Sequence, residues 1–383
     1  MGLKTGLYIH IPFCKSRCYY CGFYSTTLGA EWKDRYVDAL RKELEIQSLE
    51  GMRKGLSTVY LGGGTPSQLS VKQLEQLFEI IENQFSLQVL EGIEVTMEVN
   101  PDDVTEEFIG LLRRLPVNRV SMGIQTFSDG RLRFLHRRHT SRQALTAIER
   151  LHKADIENIS IDLMFGFPNQ TLQEWQVDID KALCLNVEHI SAYSLMYEEC
   201  TPLFKLREKG AVQECDEEVW RDMYALLMDK LTEAGYEHYE ISNFARPGYR
   251  SKHNSGYWNG TPYLGIGAAA HSYDGNTRSW NVADVNQYIT SLNQNILPRE
   301  VEYLSEDTKY NDLITTSLRT KEGVCLSNLE PHHRHYLMMN AKKHIANGLL
   351  NIDNNHIHLT REGLFVSDDI MSDLMRITTD EKG

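Results

Sequence analysis

Long apolar runs are missing from this sequence. None of its 383 residues belong to a run of about 18 consecutive apolar residues, the length that a membrane-crossing helix requires. Residues 1–11 also lack the extended apolar stretch and small-residue cleavage site of a signal peptide. We therefore expect no transmembrane segment and a cytoplasmic location, although a transient membrane contact is compatible with both absences.

Basic charge is also scarce. The 40 Lys and Arg residues are outnumbered by 53 Asp and Glu residues, which gives a net charge of −13. Binding to nucleic-acid phosphates needs clustered Lys and Arg, so we expect no nucleic-acid partner. The N-terminal segment is nevertheless positively charged, because Lys4, Lys15 and Arg17 all precede the first acidic residue, Glu31. A positive segment of this kind is expected to lower the pKa of nearby thiols.

The cysteines do not form a disulfide framework, since seven is an odd number and no signal peptide is present. Cys14, Cys18 and Cys21 have the spacing C-x3-C-x2-C. Three thiolates on one loop can each ligate one iron of a [4Fe-4S] cluster, which leaves the fourth iron open for a ligand. Structural zinc needs a second ligand pair, which is absent, and three free thiols are the other alternative. The spacing favours the cluster, and we interpret the remaining four cysteines as ordinary thiols: Cys184, Cys200, Cys215 and Cys325.

Six β-like runs alternate with helical patterns in the first half of the chain. The runs are rich in β-branched and apolar residues, as buried parallel strands are, and cover 7–11, 57–61, 93–99, 119–125, 159–165 and 189–195. Six consecutive βα units predict a parallel sheet with right-handed crossovers. The pattern alone leaves open whether this α/β fold is a doubly wound open sheet or a partial barrel.

The composition changes after a predicted helix at 217–234. Residues 236–285 are rich in Gly, Asn, Tyr and Trp, which predicts short strands and loops. Helices follow, and then a β-hairpin around the turn 353–355, as in a small α+β winged-helix-like module. We predict a core at 1–235, an extension at 236–300 and a C-terminal domain at 301–383.

Polar residues occur near the carboxyl ends of the predicted strands, at Glu98, Gln125 and Asp162. In a β/α barrel those ends face the active site, although each residue alone is equally typical of a solvated strand end. The turn 62–66 (GGGTP) allows close backbone approach to a ligand. Arg137 is either a carboxylate-binding residue or part of an exposed helix face.

With an aromatic residue before its last cysteine, the C-x3-C-x2-C motif resembles the signature of radical S-adenosylmethionine (SAM) proteins. The strings YIHIPFC, GGGTP, GIQTF and SIDLMFGFP resemble the oxygen-independent coproporphyrinogen III oxidase group, and the likeness covers most of the chain. It implies a partial (β/α)6 barrel, a [4Fe-4S] cluster and bound SAM. It also implies the SAM-contacting residues Tyr8, Gly63, Gly64, Thr65, Glu98, Gln125, Arg137 and Asp162. Some of these contacts belong to a second SAM molecule in the true oxidases, and the number bound here stays open.

Three features resemble the heme chaperone branch of this group. Phe23 stands where the true oxidases carry a fourth cysteine, and the motif begins at residue 8, with less sequence before it than those enzymes have. Residues 253–258 (HNSGYW) fit the HNxxYW pattern of the chaperones, formed here by His253, Asn254, Tyr257 and Trp258.

Histidine can ligate heme iron and aromatic rings can stack on a porphyrin, but a hydrogen-bonded His beside two packing aromatics explains the HNSGYW segment equally simply. The resemblance implies a protein that binds heme and passes it to acceptor proteins, without oxidase activity. The alternative is an oxidase that decarboxylates the propionates of coproporphyrinogen III to vinyl groups.

Overall fold

The computed structural model describes residues 5–48, 55–85 and 92–376. Each of the six predicted β-like runs is a strand, and neighbours in sequence pair in parallel. Their bounds are β1 Thr5–Ile11, β2 Leu56–Gly63, β3 Glu94–Val99, β4 Arg119–Gln125, β5 Ile159–Phe165 and β6 His189–Ser194. The predicted parallel sheet is therefore confirmed.

Helices alternate with these strands and follow the last of them, and several pack on the outer face of the sheet. They are α1 Ala30–Ser48, α2 Val71–Phe85, α3 Glu106–Leu112, α4 Asp129–Phe134, α5 Ser141–Lys153, α6 Leu172–Cys184, α7 Pro202–Glu208 and α8 Glu217–Glu233. Helices α5 and α6 each begin with a capping box, in which Thr140 with Gln143 and Thr171 with Glu174 satisfy the first backbone N–H groups.

The strands have two different faces, because successive side chains point to opposite sides. The helix-covered face is apolar, and residues such as Ile9, Val59 and Ile161 are fully buried there. The other face carries polar side chains, such as Tyr60 and Glu98, that hydrogen bond across the interior. The interior formed by the six strands is thus polar and could hold a charged ligand.

The extension contributes strands to both edges of the same sheet. Its elements are β7 Glu237–Glu240, β8 Asn243–Ala245, α9 Lys252–Trp258, β9 Tyr263–Ile266, β10 His271–Tyr273, β11 Thr277–Asn281, α10 Val285–Asn293 and β12 Arg299–Tyr303. Strand β9 pairs in parallel with β1, and β8 pairs antiparallel with β6. The resulting twelve-stranded sheet has the order β12-β11-β10-β9-β1-β2-β3-β4-β5-β6-β8-β7. The boundary at 235 stays a prediction.

The C-terminal region has its own small sheet and apolar core. Its elements are α11 Glu306–Ser317, β13 Val324–Cys325, α12 Pro331–Ala346, β14 Leu350–Asp353, β15 His356–Leu359, α13 Arg361–Leu364 and α14 Ser367–Leu374. The predicted hairpin is present, and Asn354 and Asn355 turn it with φ angles of 46° and 65°. Ion pairs such as Arg361–Asp229, at 2.6 Å, attach this region to helix α8. Across the described ranges, every helix falls short of the length or apolar character needed to span a bilayer.

Candidate cluster and cofactor site

The three predicted cluster cysteines lie on a loop that leaves the carboxyl end of β1. Two backbone hydrogen bonds close this loop, from the Cys14 N–H to the Thr26 carbonyl (2.8 Å) and from the Thr26 N–H to the Pro12 carbonyl (2.7 Å). All three cysteines are partly exposed. Cys14 and Cys18 both act electrostatically on the thiol of Cys21, so the three thiols are neighbours on this loop. Three neighbouring thiols fit a [4Fe-4S] cluster.

The expected lowering of the thiol pKa is wrong for two of these cysteines. Burial raises the pKa of Cys21 to about 11 and also raises the pKa of Cys14. The positive charges of Arg17 and Arg137 act in the opposite direction but are the weaker influence. Burial outweighs the local positive charge that the sequence shows, because removing a thiolate from water is costly.

The glycine turn packs directly against β1. Gly63 has a φ of 103°, and a Cβ at that position would lie 2.3 Å from the ring of His10. A Cβ on Gly64 would lie 2.7 Å from the carbonyl oxygen of Ile11, which accepts the Gly64 N–H at 2.9 Å. Only glycine fits these positions. The turn is thereby held beside the cysteine loop, and the Thr65 hydroxyl lies 3.5 Å from the Cys14 sulfur.

Glu98 binds the glycine turn from inside the sheet. Its carboxylate accepts the Gly63 N–H at 3.1 Å and the Tyr60 hydroxyl at 2.8 Å. Burial raises the pKa of Glu98 to about 7, and the nearby charge of Asp162 adds to this effect. Burial also raises the pKa of Asp162. Two partly buried carboxyl groups, one of which accepts from the glycine turn, can recognise a cationic ligand, because a positive charge near them would favour their ionised forms.

Arg137 lies between the cysteine loop and the carboxyl end of β4. Its guanidinium donates to the Asn100 side chain at 2.8 Å and to the Gly123 carbonyl, and one Nη lies 3.6 Å from the Cys18 sulfur. A Cβ on Gly123 would lie 3.1 Å from Arg137 and 2.7 Å from the amide of Gln125. The buried Nε of Arg137 has no partner among the described residues. The basic run therefore provides an internal arginine suited to a carboxylate, and the exposed-face alternative is excluded.

Asn100 belongs to this site although sequence reasoning missed it. It accepts from Arg137 and donates to the Thr65 hydroxyl at 3.4 Å. Contacts therefore run in an arc from Cys14 through Thr65, Asn100 and Arg137 to Cys18. The residue directly follows β3, so extending the strand-end rule by one position would have found it.

Tyr60 and Arg119 were also missed. Both are buried inside the sheet, and two nitrogens of the Arg119 guanidinium have no partner among the described residues. The charge of Arg119 acts on both Glu98 and Asp162. No sequence signal marks these residues, because an arginine or tyrosine within a strand is equally common at the surface.

The HNSGYW segment forms helix α9 rather than a loop. His253 is buried, and both ring nitrogens are hydrogen bonded: Nδ1 to the Thr58 hydroxyl (2.7 Å) and Nε2 to the Tyr257 hydroxyl (2.8 Å). The carboxylate of Glu94 accepts the N–H groups of Lys252 and His253 at 2.9 and 3.0 Å. Burial lowers the pKa of His253 to about 3, so its ring is neutral. A neutral imidazole is the form that ligates metals.

The remaining residues of the segment differ in their surroundings. The Asn254 N–H donates to the Ser251 hydroxyl at 3.3 Å, which caps α9. Trp258 has a buried indole N–H without a partner in the described chain, and Arg319 lies 4.9 Å from its ring centre.

Helix α9 lies at the amino ends of the strands, opposite the cysteine loop. Its partners Thr58 and Glu94 are near the start of β2 and at the start of β3. Thr58 and Gly63 are five residues apart along β2, a distance of roughly 16 Å. The structure thus places Gly63, Thr65 and Arg137 at the cysteine end and His253 at the other end. Tyr8 lies between the two ends, because its ring centre is 6.3 Å from that of His253 and 6.1 Å from that of Tyr60.

Comparisons with known proteins agree with this architecture. The sequence model of the Radical SAM superfamily matches residues 8–182, and that of the HemN C-terminal domain matches residues 304–366. The heme chaperone HemW of Lactococcus lactis subsp. lactis is 40% identical, over 84% of this chain and 83% of its own length. The heme chaperone HemW of Bacillus subtilis is 36% identical, over 95% of this chain and 97% of its own. This chain belongs to the heme chaperone HemW family.

Comparison with a solved structure identifies the fold of this chain. Coproporphyrinogen III oxidase (HemN) from Escherichia coli, described as a radical SAM enzyme, superimposes with a TM-score of 0.83 at 22% sequence identity. The match covers 97% of this chain and 90% of that chain. The predicted radical SAM fold is therefore confirmed, and the open doubly wound sheet is excluded. Phe23, two residues after Cys21 on the cysteine loop, is 71% exposed.

Proposed function

We propose that this chain is a heme chaperone that carries a [4Fe-4S] cluster, binds SAM beside it and transfers heme to acceptor proteins. The arc of contacts from Cys14 through Thr65, Asn100 and Arg137 to Cys18 carries the cofactor part of this proposal. The names of the family members, together with the HNSGYW helix, support the heme part.

The residues at the cysteine end fit the two charged groups of SAM. When bound, the cluster supplies an iron with an open coordination position and an electron for SAM. Arg137 is placed to hold a carboxylate, because its Nε is buried and unpartnered within the described chain. Glu98 and the glycine turn are placed to hold an ammonium group. The remaining residues assigned to SAM are Tyr8, Gly63, Gly64, Thr65, Gln125 and Asp162.

The heme site requires a rearrangement of α9. The cavity beside this helix, which His253 and Tyr257 help to line, measures only about 140 Å³, whereas pockets for drug-sized ligands measure roughly 300–1,000 Å³. Ligation through Nε2 of His253 must also displace the Tyr257 hydroxyl. We propose that heme binding opens α9, after which Tyr257 and Trp258 stack on the porphyrin and Asn254 remains at the helix start.

An anaerobic assay separates the chaperone from the oxidase alternative. Reconstituted protein is titrated with hemin, and the loaded protein is mixed with apomyoglobin while the Soret band is followed. The same preparation is incubated with coproporphyrinogen III, SAM and dithionite, and the porphyrins are analysed. We expect saturable hemin binding, transfer to apomyoglobin and unchanged coproporphyrinogen III. Formation of the divinyl product would overturn the chaperone proposal in favour of the oxidase.

A further inference from the structure

A continuous column of side chains joins the two ends of the sheet interior. The ring of His253 stacks on Tyr60 with centres 5.0 Å apart and planes inclined by 27°. The Tyr60 hydroxyl donates to Glu98 at 2.8 Å, and Glu98 accepts the Gly63 N–H at 3.1 Å. Tyr60 therefore touches both His253 and the Glu98 carboxylate in this column.

The column leaves little room for independent movement. A Cβ on Gly62 would lie 2.7 Å from the ring of Tyr60 and 2.8 Å from the Glu98 carboxylate, so both side chains press against the backbone of the glycine turn. At the other end, a Cβ on Gly6 would lie 3.5 Å from the ring of His253. Interiors packed this closely transmit displacements instead of absorbing them.

We propose that Tyr60 is a positioning residue that couples the HNSGYW helix to the glycine turn, so that occupancy at one end changes affinity at the other. The identities of the two ligands, heme and SAM, rest on the proposed function; the coupling itself rests on the column. Heme ligation must break the His253–Tyr257 hydrogen bond, which moves His253 relative to the ring of Tyr60. The displaced Tyr60 then loosens its hydrogen bond to Glu98 and with it the glycine turn.

The sign of the coupling follows from this geometry. When α9 is closed, the column holds Glu98 and the glycine turn in the position that binds SAM. Because heme binding opens α9, heme should weaken SAM binding. By thermodynamic linkage SAM weakens heme binding by the same factor. A heme carrier with this coupling would hold heme more loosely once SAM is bound, which favours release.

A double-mutant cycle tests the column without heme. The SAM dissociation constant is measured by equilibrium dialysis for the reconstituted wild type, His253→Ala, Tyr60→Phe and the double variant. We expect His253→Ala to weaken SAM binding about tenfold in the wild type but less than twofold when Tyr60→Phe is already present. The reason is that Tyr60→Phe removes the hydroxyl that connects the ring of Tyr60 to Glu98. Tyr263→Phe is the matched control, since its ring packs against Tyr257, and it should leave the effect of His253→Ala unchanged. Equal effects of His253→Ala in both backgrounds would overturn the coupling.

A second series adds heme and separates the coupling from the proposed function. Saturating hemin should raise the SAM dissociation constant at least fivefold in the wild type and less than twofold in Tyr60→Phe. If hemin does not bind while the cycle remains non-additive, the chaperone proposal fails and the column stands. If both ligands bind and the hemin effect is absent, or is the same in Tyr60→Phe, the coupling fails and the chaperone proposal stands.

Discussion

The two ends of the barrel interior differ in whether their polar side chains already have hydrogen-bond partners. At the carboxyl end, three neighbouring thiols share one loop, the Arg137 Nε lacks a partner within the described chain, and Phe23 is exposed. At the amino end, α9 closes the interior, and both ring nitrogens of His253 are hydrogen bonded. One end leaves a guanidinium nitrogen free for a ligand, whereas at the other the imidazole of His253 is satisfied without one. A site that is already satisfied must open before it binds, and opening costs free energy that the ligand has to supply.

The largest effect should come from removing a cluster ligand at the open end. We expect Cys18→Ser to abolish the cluster, because a three-cysteine site has no spare protein ligand. Iron analysis and the broad visible absorbance of the reconstituted protein measure the loss. Cys184→Ser changes an exposed cysteine away from the loop and should leave both unchanged. A normal iron content of about four per chain in Cys18→Ser would contradict the cluster assignment.

His253→Ala should have the next largest effect, at the closed end. It leaves the Thr58 and Tyr257 hydroxyls without their buried partner and opens a cavity, so we expect a loss of about 4 kcal/mol in unfolding free energy. Urea unfolding measures this loss, and a hemin titration should show affinity at least tenfold weaker with the cluster absorbance intact. Unchanged hemin affinity would remove His253 as the heme ligand.

Glu98 gives the open end a distinct dependence on pH. Its pKa of about 7 in the fold exceeds the ordinary 4.5, so the folded protein holds a proton that the unfolded chain releases between these values. The stabilisation that Glu98 provides is therefore fully present below pH 4.5 and is lost as the pH rises to about 7. Over this range the unfolding free energy should fall by about 3 kcal/mol because of Glu98.

Comparing the wild type with Glu98→Gln isolates this contribution in protein free of SAM and cluster. Between pH 5 and pH 8 the unfolding free energy of the wild type should fall by more than that of the variant. Parallel pH profiles for the two proteins would show that Glu98 is not protonated in the fold.

The smallest effect should come from Asn100→Ala, which interrupts the arc between Thr65 and Arg137. Arg137 keeps its contact with the Gly123 carbonyl, so we expect SAM affinity to fall about fivefold, or about 1 kcal/mol. Equilibrium dialysis with the reconstituted protein measures this change, and the iron content should stay constant. An unchanged SAM affinity would mean that Arg137 is oriented without Asn100.

Much of the barrel could be predicted from the sequence, because each strand is a short run of β-branched residues with a helical pattern behind it. β4 and β5 were predicted with the bounds that the structure gives them. The motif spacing likewise predicted that Cys14, Cys18 and Cys21 share one loop. Local patterns succeed here because strand formation and loop length depend mainly on neighbouring residues.

The positions of the polar groups depended on the tertiary structure. The sequence left open whether His253 ligates iron or is hydrogen bonded inside the protein, and the structure buries its ring against Thr58, 195 residues away along the chain. Likewise, the positive segment before Glu31 predicted lowered thiol pKa values, whereas burial raises the pKa of Cys21. Desolvation depends on every atom that surrounds a group, and most of those atoms come from distant parts of the chain. The strands, the cysteine loop and the family could therefore be predicted from local sequence. Which polar groups are open to a ligand, and which are closed by another side chain, depended on how distant parts of the chain pack together.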